Sequence, residues 1–243
     1  MTKRQNIRKT VIIIIFLLFP IIMLYFSPYL IVIGASKGIV AGSMIVFTFL
    51  FILSLFLGKF SCGYFCPLGG LQECMMLANN KKTKGGKRNY IKYWICVPWV
   101  ISIAVLFILA GGFSEVDPFF QITDGVSLNE PSTYLVYYGI VSLVVVLALI
   151  FGKRAFCHYM CWIAPLLIVG TKIANWLKMP VLHIKADKTK CVGCKKCSEK
   201  CPMSLDVKSM VETEKMANSE CILCGECIDI CQKKAITYSF KRK

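Results

Sequence analysis

Four stretches of the chain, 11–33, 38–57, 93–110 and 134–151, contain no charged residue. Each is long enough to cross most or all of the roughly 30 Å hydrocarbon core of a bilayer as an α-helix. Between them the pattern changes abruptly. Basic residues crowd before the first stretch, between the second and third, and after the fourth, whereas the segment after the third carries acids. From residue 181 onward the apolar runs stop and the composition becomes that of a small soluble domain. The pattern predicts a membrane all-α bundle of four transmembrane helices over 1–180 and a separate unit over 181–243.

Charge gives the bundle a direction. Lys3, Arg4, Arg8 and Lys9 precede the first stretch, and Lys59, Lys81, Lys82, Lys84, Lys87, Arg88 and Lys92 lie between the second and third. Cytoplasmic loops collect Lys and Arg, so these segments belong inside, together with Lys153, Arg154 and the tail. Glu115, Asp117, Asp124 and Glu130, with no Lys or Arg among them, and the turn holding Lys37 then face outward. The prediction is a multi-pass protein of the cytoplasmic membrane, N-in and C-in. Pro20 and Pro28 interrupt the first stretch, and no small-x-small cleavage site follows, which favours an uncleaved anchor over a signal peptide. The net charge of +16, in a chain 56% hydrophobic with mean hydropathy +0.63, follows from this loop bias and calls for no nucleic acid.

The outward loops contain none of the 14 cysteines. All but Cys96, near the inner end of the third stretch, fall in inner loops or the tail, so thiolate metal sites are expected rather than disulfides. The tail holds "CVGCKKCSEKCP" at 191–202 and "CILCGECIDIC" at 221–231, both C-x2-C-x2-C-x3-C. Three cysteines of such a run wrap one cubane and the fourth ligates the other. One [4Fe–4S] cluster is therefore assigned to Cys191, Cys194, Cys197 and Cys231, and a second to Cys201, Cys221, Cys224 and Cys227. Paired zinc knuckles are the competing reading, disfavoured by the recurrence of all four cysteines in both runs.

The tail resembles the bacterial two-cluster ferredoxins, which implies a small α+β two-[4Fe–4S] ferredoxin-like domain and electron transfer. Gln232 stands where that family usually has proline. So small a domain has little core, so the clusters would supply much of its folding energy. Lys195, Lys196 and Lys200 solvate its surface and could steer an acidic redox partner.

A second cysteine pattern repeats in the membrane half. "GKFSCGYFCP" at 58–67 and "GKRAFCHYMC" at 152–161 each follow an apolar stretch. If each C-x3-C lies on a helical turn, its sulfurs share a face, and two such faces give a third, four-thiolate metal site from Cys62, Cys66, Cys157 and Cys161. Packed, inert thiols are the alternative. With this repeat and the tail together, the whole chain resembles the membrane polyferredoxins of the NapH type, associated with periplasmic nitrate reductase. Cys62, Cys66 and Pro67 fit the family's C-x3-C-P motif, whereas the second copy has Trp162 in place of proline, with Pro165 beyond.

The resemblance implies membrane electron transport in anaerobic respiration, as an oxidoreductase component linking a redox protein partner to the quinone pool or a membrane complex. Two rival readings are a quinol dehydrogenase in its own right, with a quinone site beside Trp162 or Trp176, and an assembly or regulatory metal reductase for a respiratory enzyme. Cys74 and Cys96 lack partners at ligand spacing and read as packing residues. His158 is read as an interfacial side chain within reach of a cluster sulfur or quinone, His183 as a linker residue, and Asp117 and Asp124 as a solvated acidic loop.

Overall fold

The computed structural model describes residues 2–122, 125–128 and 131–241. Asp124 and Glu130, two of the acids expected to face outward, lie outside the described residues.

The first apolar stretch is a broken element and not one continuous helix. It comprises α1 (Lys3–Leu17), α2 (Phe19–Ile22), a 3-10 turn (Met23–Phe26) and α3 (Pro28–Ser36). The proline ring removes an amide donor and restricts the residue before it, and the axis turns by 57° beside Pro20. Pro28 opens α3, where a missing N–H leaves no unmet bond, and Ser27 caps that helix by accepting from the Leu30 amide.

The chain continues through β1 (Ile39–Ala41), α4 (Gly42–Leu57), α5 (Phe60–Tyr64), α6 (Pro67–Ala78), a 3-10 turn (Gly86–Tyr90) and α7 (Ile91–Leu109). Then follow β2 (Glu115–Asp117), α8 (Pro131–Phe151), α9 (Ala155–Tyr159) and α10 (Ile163–Trp176). Among the described residues, Gly86–Leu109 and Pro131–Phe151 are long and apolar enough to cross a membrane, and a third crossing results if the bent pair of α1 and Phe19–Phe26 counts as one. The apolar helix α4 has 16 residues, about 24 Å of rise, which is short of a full hydrocarbon core. The outer faces of α7 and α8 carry Trp94, Ile108, Leu109, Leu135 and Ile150, each more than half exposed. An apolar surface of that kind suits lipid rather than water.

At one end of these helices β1 pairs in parallel with β2, Ile39 opposite Glu115 and Ala41 opposite Asp117, so the two turns expected on the outer face meet. At the other end sits the tail: β3 (Val181–Ala186), α11 (Lys196–Lys200), α12 (Val207–Glu212), α13 (Glu226–Asp229) and β4 (Ile236–Lys241). Strands β3 and β4 pair antiparallel, Val181 opposite Lys241 and Ala186 opposite Ile236. Ile184, Met203, Val207, Val211, Ile222 and Ile236 form the tail's core together with Cys201, Cys224 and Cys227.

Basic residues at the helix ends fasten this domain. Lys92 Nζ lies 2.6 Å from both carboxylate oxygens of Glu220, and Lys59 donates to the Ser219 carbonyl at 3.0 Å. Lys153 donates to the Glu199 carbonyl at 2.8 Å, and the Thr83 amide to Ser204 Oγ at 3.0 Å. Several residues that the sequence marks only as loop charge are therefore buried structural contacts.

Candidate iron–sulfur centres

The two cysteine runs of the tail fold into matching shapes. Each passes from an extended segment through a left-handed residue, Lys195 at φ 60° or Gly225 at φ 75°, into a short helix, α11 or α13. That turn bends three cysteines around one space and sends the fourth away on the helix. Cys191, Cys194, Cys197 and Cys231 line one cavity of about 90 Å³. Cys201, Cys221, Cys224 and Cys227 line another. Each cavity thus draws three cysteines from one run and the fourth from the other, the arrangement that two-cluster spacing requires. A zinc ion would gather four sulfurs at about 2.3 Å from a single point. Among the described residues no group of three or more His, Cys, Asp or Glu side chains is placed to hold a metal ion.

The two sites differ in exposure. Cys194 is exposed, whereas Cys201, Cys224 and Cys227 are buried. Burial pushes the thiols of the inner set up, Cys221 to about 11 and Cys224 to about 12. Burial favours the neutral thiol, so iron binding there would have to displace the thiol protons.

The C-x3-C motifs are built alike but not as single helical turns. Cys62 lies on α5 and Cys157 on α9, whereas Cys66 is the residue before α6 and Cys161 comes just ahead of α10. Each motif therefore bends across a helix junction. Pro67 supplies the first position of α6, and Trp162 precedes α10 without changing the plan. The four thiols lie near one another, Cys161 buried and Cys62, Cys66 and Cys157 half-buried. Burial pushes Cys62, Cys66 and Cys161 up, Cys161 to about 12, and the neighbouring cysteines of the set push them further.

These motifs form the seam between membrane helices and tail. Cys62 and Cys157 pack against the core of the tail, whereas Cys66 and Cys161 belong with the core of the helices. Gly63 makes the approach possible: a Cβ there would lie 2.6 Å from the Ile222 carbonyl oxygen. Gly152 is constrained in a similar way, with φ 96° and room for a Cβ only 2.2 Å from the Lys81 carbonyl oxygen.

A buried polar group at this seam was not anticipated from the sequence. Glu73 Oε1 accepts from Arg8 at 2.9 Å and from Arg154 at 2.7 Å, with every partner's side chain at most 5% exposed. The paired guanidinium groups outweigh burial and hold the Glu73 carboxyl down at about 2. Arg154 also donates to the Cys62 carbonyl at 3.0 Å, and Arg8 to the Gly63 carbonyl at 3.3 Å. Gln72 Nε2 reaches Cys157 Sγ at 3.1 Å, which ties the first half of the repeat to the second. One signal was available: Glu73 is the lone acid in the otherwise basic loop 58–92.

His158 is occupied elsewhere. Its ring nitrogens face Asn89 Oδ1 at 3.2 Å and the Met203 carbonyl at 3.1 Å, and burial brings its pKa down to about 4. A neutral ring satisfies both contacts when Asn89 turns its amide NH2 towards Nδ1. His183 lies within β3 with Nδ1 on the Val181 carbonyl at 2.9 Å. Cys96 is buried and Cys74 half-buried, and neither belongs to the four-cysteine sets.

Beside the C-x3-C pocket opens an apolar cavity of about 690 Å³, lined by Cys66, Cys157, Cys161, Trp162, Phe19 and Met23 and reaching Gln121 and Ser127 near the far end. The Trp162 indole N–H is buried without a hydrogen-bond partner among the described residues. Trp176 lies outside this cavity and is 81% exposed.

Residues 40–85 and 134–178 both match the family described as "4Fe-4S binding domain", and residues 183–232 match the "4Fe-4S dicluster domain". The chain is thus an iron–sulfur electron-transport protein with a ferredoxin-type domain and apolar helices fit to cross a membrane. It is 29% identical over 224 residues to an uncharacterised protein of Methanocaldococcus jannaschii, covering 87% of this chain and 78% of that one. YccM of Escherichia coli is 24% identical over 236 residues (92% and 63% covered), and the ferredoxin-type protein NapH of Haemophilus influenzae 24% over 208 residues (82% and 67%). Together these likenesses support a 4Fe-4S polyferredoxin of the NapH type. No solved structure matches it.

Proposed function

We propose that the protein carries electrons between a redox protein that docks on its tail and a donor or acceptor within the membrane. The outer site of the relay is Cys191, Cys194, Cys197 and Cys231, and the inner is Cys201, Cys221, Cys224 and Cys227. Cys62, Cys66, Cys157 and Cys161 hold a third site. A [4Fe–4S] cluster supplies one-electron chemistry at fixed ligands. The chain's own work is to hold the sites in series and exclude water. One observation carries this reading: the C-x3-C cysteines lie in the seam, with Cys62 and Cys157 against the core that contains Cys224.

In this reading residues 1–180 cross the cytoplasmic membrane four times, N-in and C-in, and residues 181–243 lie in the cytoplasm. Exposed Cys194, Lys195 and Lys196 mark the face on which an acidic redox partner docks. The apolar cavity favours a quinone as the membrane reactant. Its volume lies in the range of small-molecule sites, and the unpaired Trp162 N–H offers a carbonyl a donor next to Cys161.

Anaerobic purification with iron and acid-labile sulfide assays tests the relay. Three sites give about twelve irons per chain, falling by about four in Cys62→Ser or Cys157→Ser. About eight irons, unchanged in both variants, would confine the clusters to the tail. Reduction of the clusters by a quinol added to the purified protein, lost in a variant that fills the cavity such as Met23→Trp, tests the quinone reading.

A further inference from the structure

Arg8, Glu73 and Arg154 leave one positive charge in excess, sealed from water between two thiol-lined sites. An unbalanced buried charge is costly unless an opposite charge lies close by. Among the described residues no other carboxylate is paired to either guanidinium. The nearby groups able to carry negative charge are thiols: Cys224 lies within electrostatic reach of both arginines, and Cys62 and Cys157 within reach of Arg154. Two guanidinium nitrogens, Arg8 Nη2 and Arg154 Nε, are buried without hydrogen-bond partners among the described residues. Gln72 meanwhile donates to Cys157 Sγ.

We propose that Arg8, Glu73 and Arg154 form a buried cationic bridge that raises the reduction potentials of both the Cys224 site and the C-x3-C site, with Gln72 adding a hydrogen bond that favours the reduced form of the latter. This rests on the C-x3-C cysteines holding a cluster. Adding an electron makes a thiolate-held cluster more negative, and a fixed cation at close range in a low-dielectric seam favours that state. Transfer across the bridge moves one electron, oxidising one site and reducing the other, with no bond made and no proton moved. Arg154 faces both sites, so it raises the two potentials together, and Arg8 adds to the effect at the Cys224 site. These are positioning residues, which act on the sites through charge and N–H donors.

The test is a potentiometric titration of the purified, fully loaded protein followed by electron paramagnetic resonance. Arg8→Gln removes the excess charge and should lower both potentials. Glu73→Gln doubles the excess and should raise them. Each shift is expected to be at least tenfold in the reduction equilibrium, about 59 mV for one electron. Arg154→Lys should stay close to the native values, and Gln72→Leu should lower the C-x3-C site alone. The outer site, ringed by Cys191, Cys194, Cys197 and Cys231, serves as an internal reference that does not move.

Shifts of the same sign in Arg8→Gln and Glu73→Gln, or none, with iron content intact, overturn the proposal. Should the single variants lose iron, the double variant Arg8→Gln, Glu73→Gln keeps one excess positive charge and must return the native potentials; other values overturn the bridge. The iron count separates the two levels of the argument. Eight irons that persist in Cys62→Ser refute the third site, while the sign of the Cys224 shifts still decides whether the arginines act on the tail.

Discussion

At the scale of single residues, the seam depends on atoms that are missing as much as on those present. Gly63 lets the tail approach until the Ile222 carbonyl oxygen occupies the space a Cβ would need. Gly63→Val should therefore lift the tail from the helices while leaving its own core intact. The expected result is faster proteolytic cleavage around residues 177–180, with about eight irons retained in the tail. The grouping of the tail cysteines around two cavities was legible in the sequence because ligand spacing is itself a geometric statement: doubled spacing predicts which thiols face one space. Arg8, Glu73 and Gln72 were not. Their partners are far off in sequence, 65 positions for Arg8 with Glu73 and 85 for Gln72 with Cys157, so no local pattern encodes them.

At the scale of elements, charge-free length proved a good guide to where apolar helices lie and a poor one to their continuity. Helices α7 and α8 follow their stretches closely, with α7 beginning at Ile91 and α8 at Pro131, whereas the first stretch breaks near Pro20 and again before Pro28. Proline punctuates backbone hydrogen bonding without changing hydropathy, so an apolar count passes over it. The start of α7 carries a load of its own. Lys92, fully buried, clamps Glu220 with both oxygens at 2.6 Å. Lys59 Nζ lies 3.8 Å from the same carboxylate, so Lys92→Met leaves Glu220 with one weaker partner and should destabilise the holoprotein by about 1–3 kcal/mol, whereas Glu220→Leu leaves both lysines without their carboxylate and should cost more. The pair Lys92→Met, Glu220→Leu should cost less than the sum of the two single changes. Denaturant titrations of the four proteins in detergent provide the check.

At the scale of the whole molecule, the tail's buried core includes three of its ligand candidates, Cys201, Cys224 and Cys227, so cluster binding there would be coupled to folding. Chelating the iron should abolish the β3–β4 pairing and the short helices while the long apolar helices persist. Circular dichroism and limited proteolysis before and after reconstitution would show both; a tail that stays protected without iron would count against this coupling. The change of composition near residue 181 was visible in the sequence and predicts two units there. The contacts between tail and helices were not, because they are made by loop lysines that are indistinguishable in sequence from lysines that only face solvent.

The C-x3-C pocket takes two cysteines from each of two segments that match the same family description, 40–85 and 134–178. Neither segment alone holds more than half of the four-thiol set. Two such motifs brought together complete the set, and the two halves differ in what they place around it: the first carries Pro67, Gln72 and Glu73, and the second Trp162 and Arg154. The asymmetry that places charge on one side of the pocket and an apolar cavity on the other is closed to a symmetric pair.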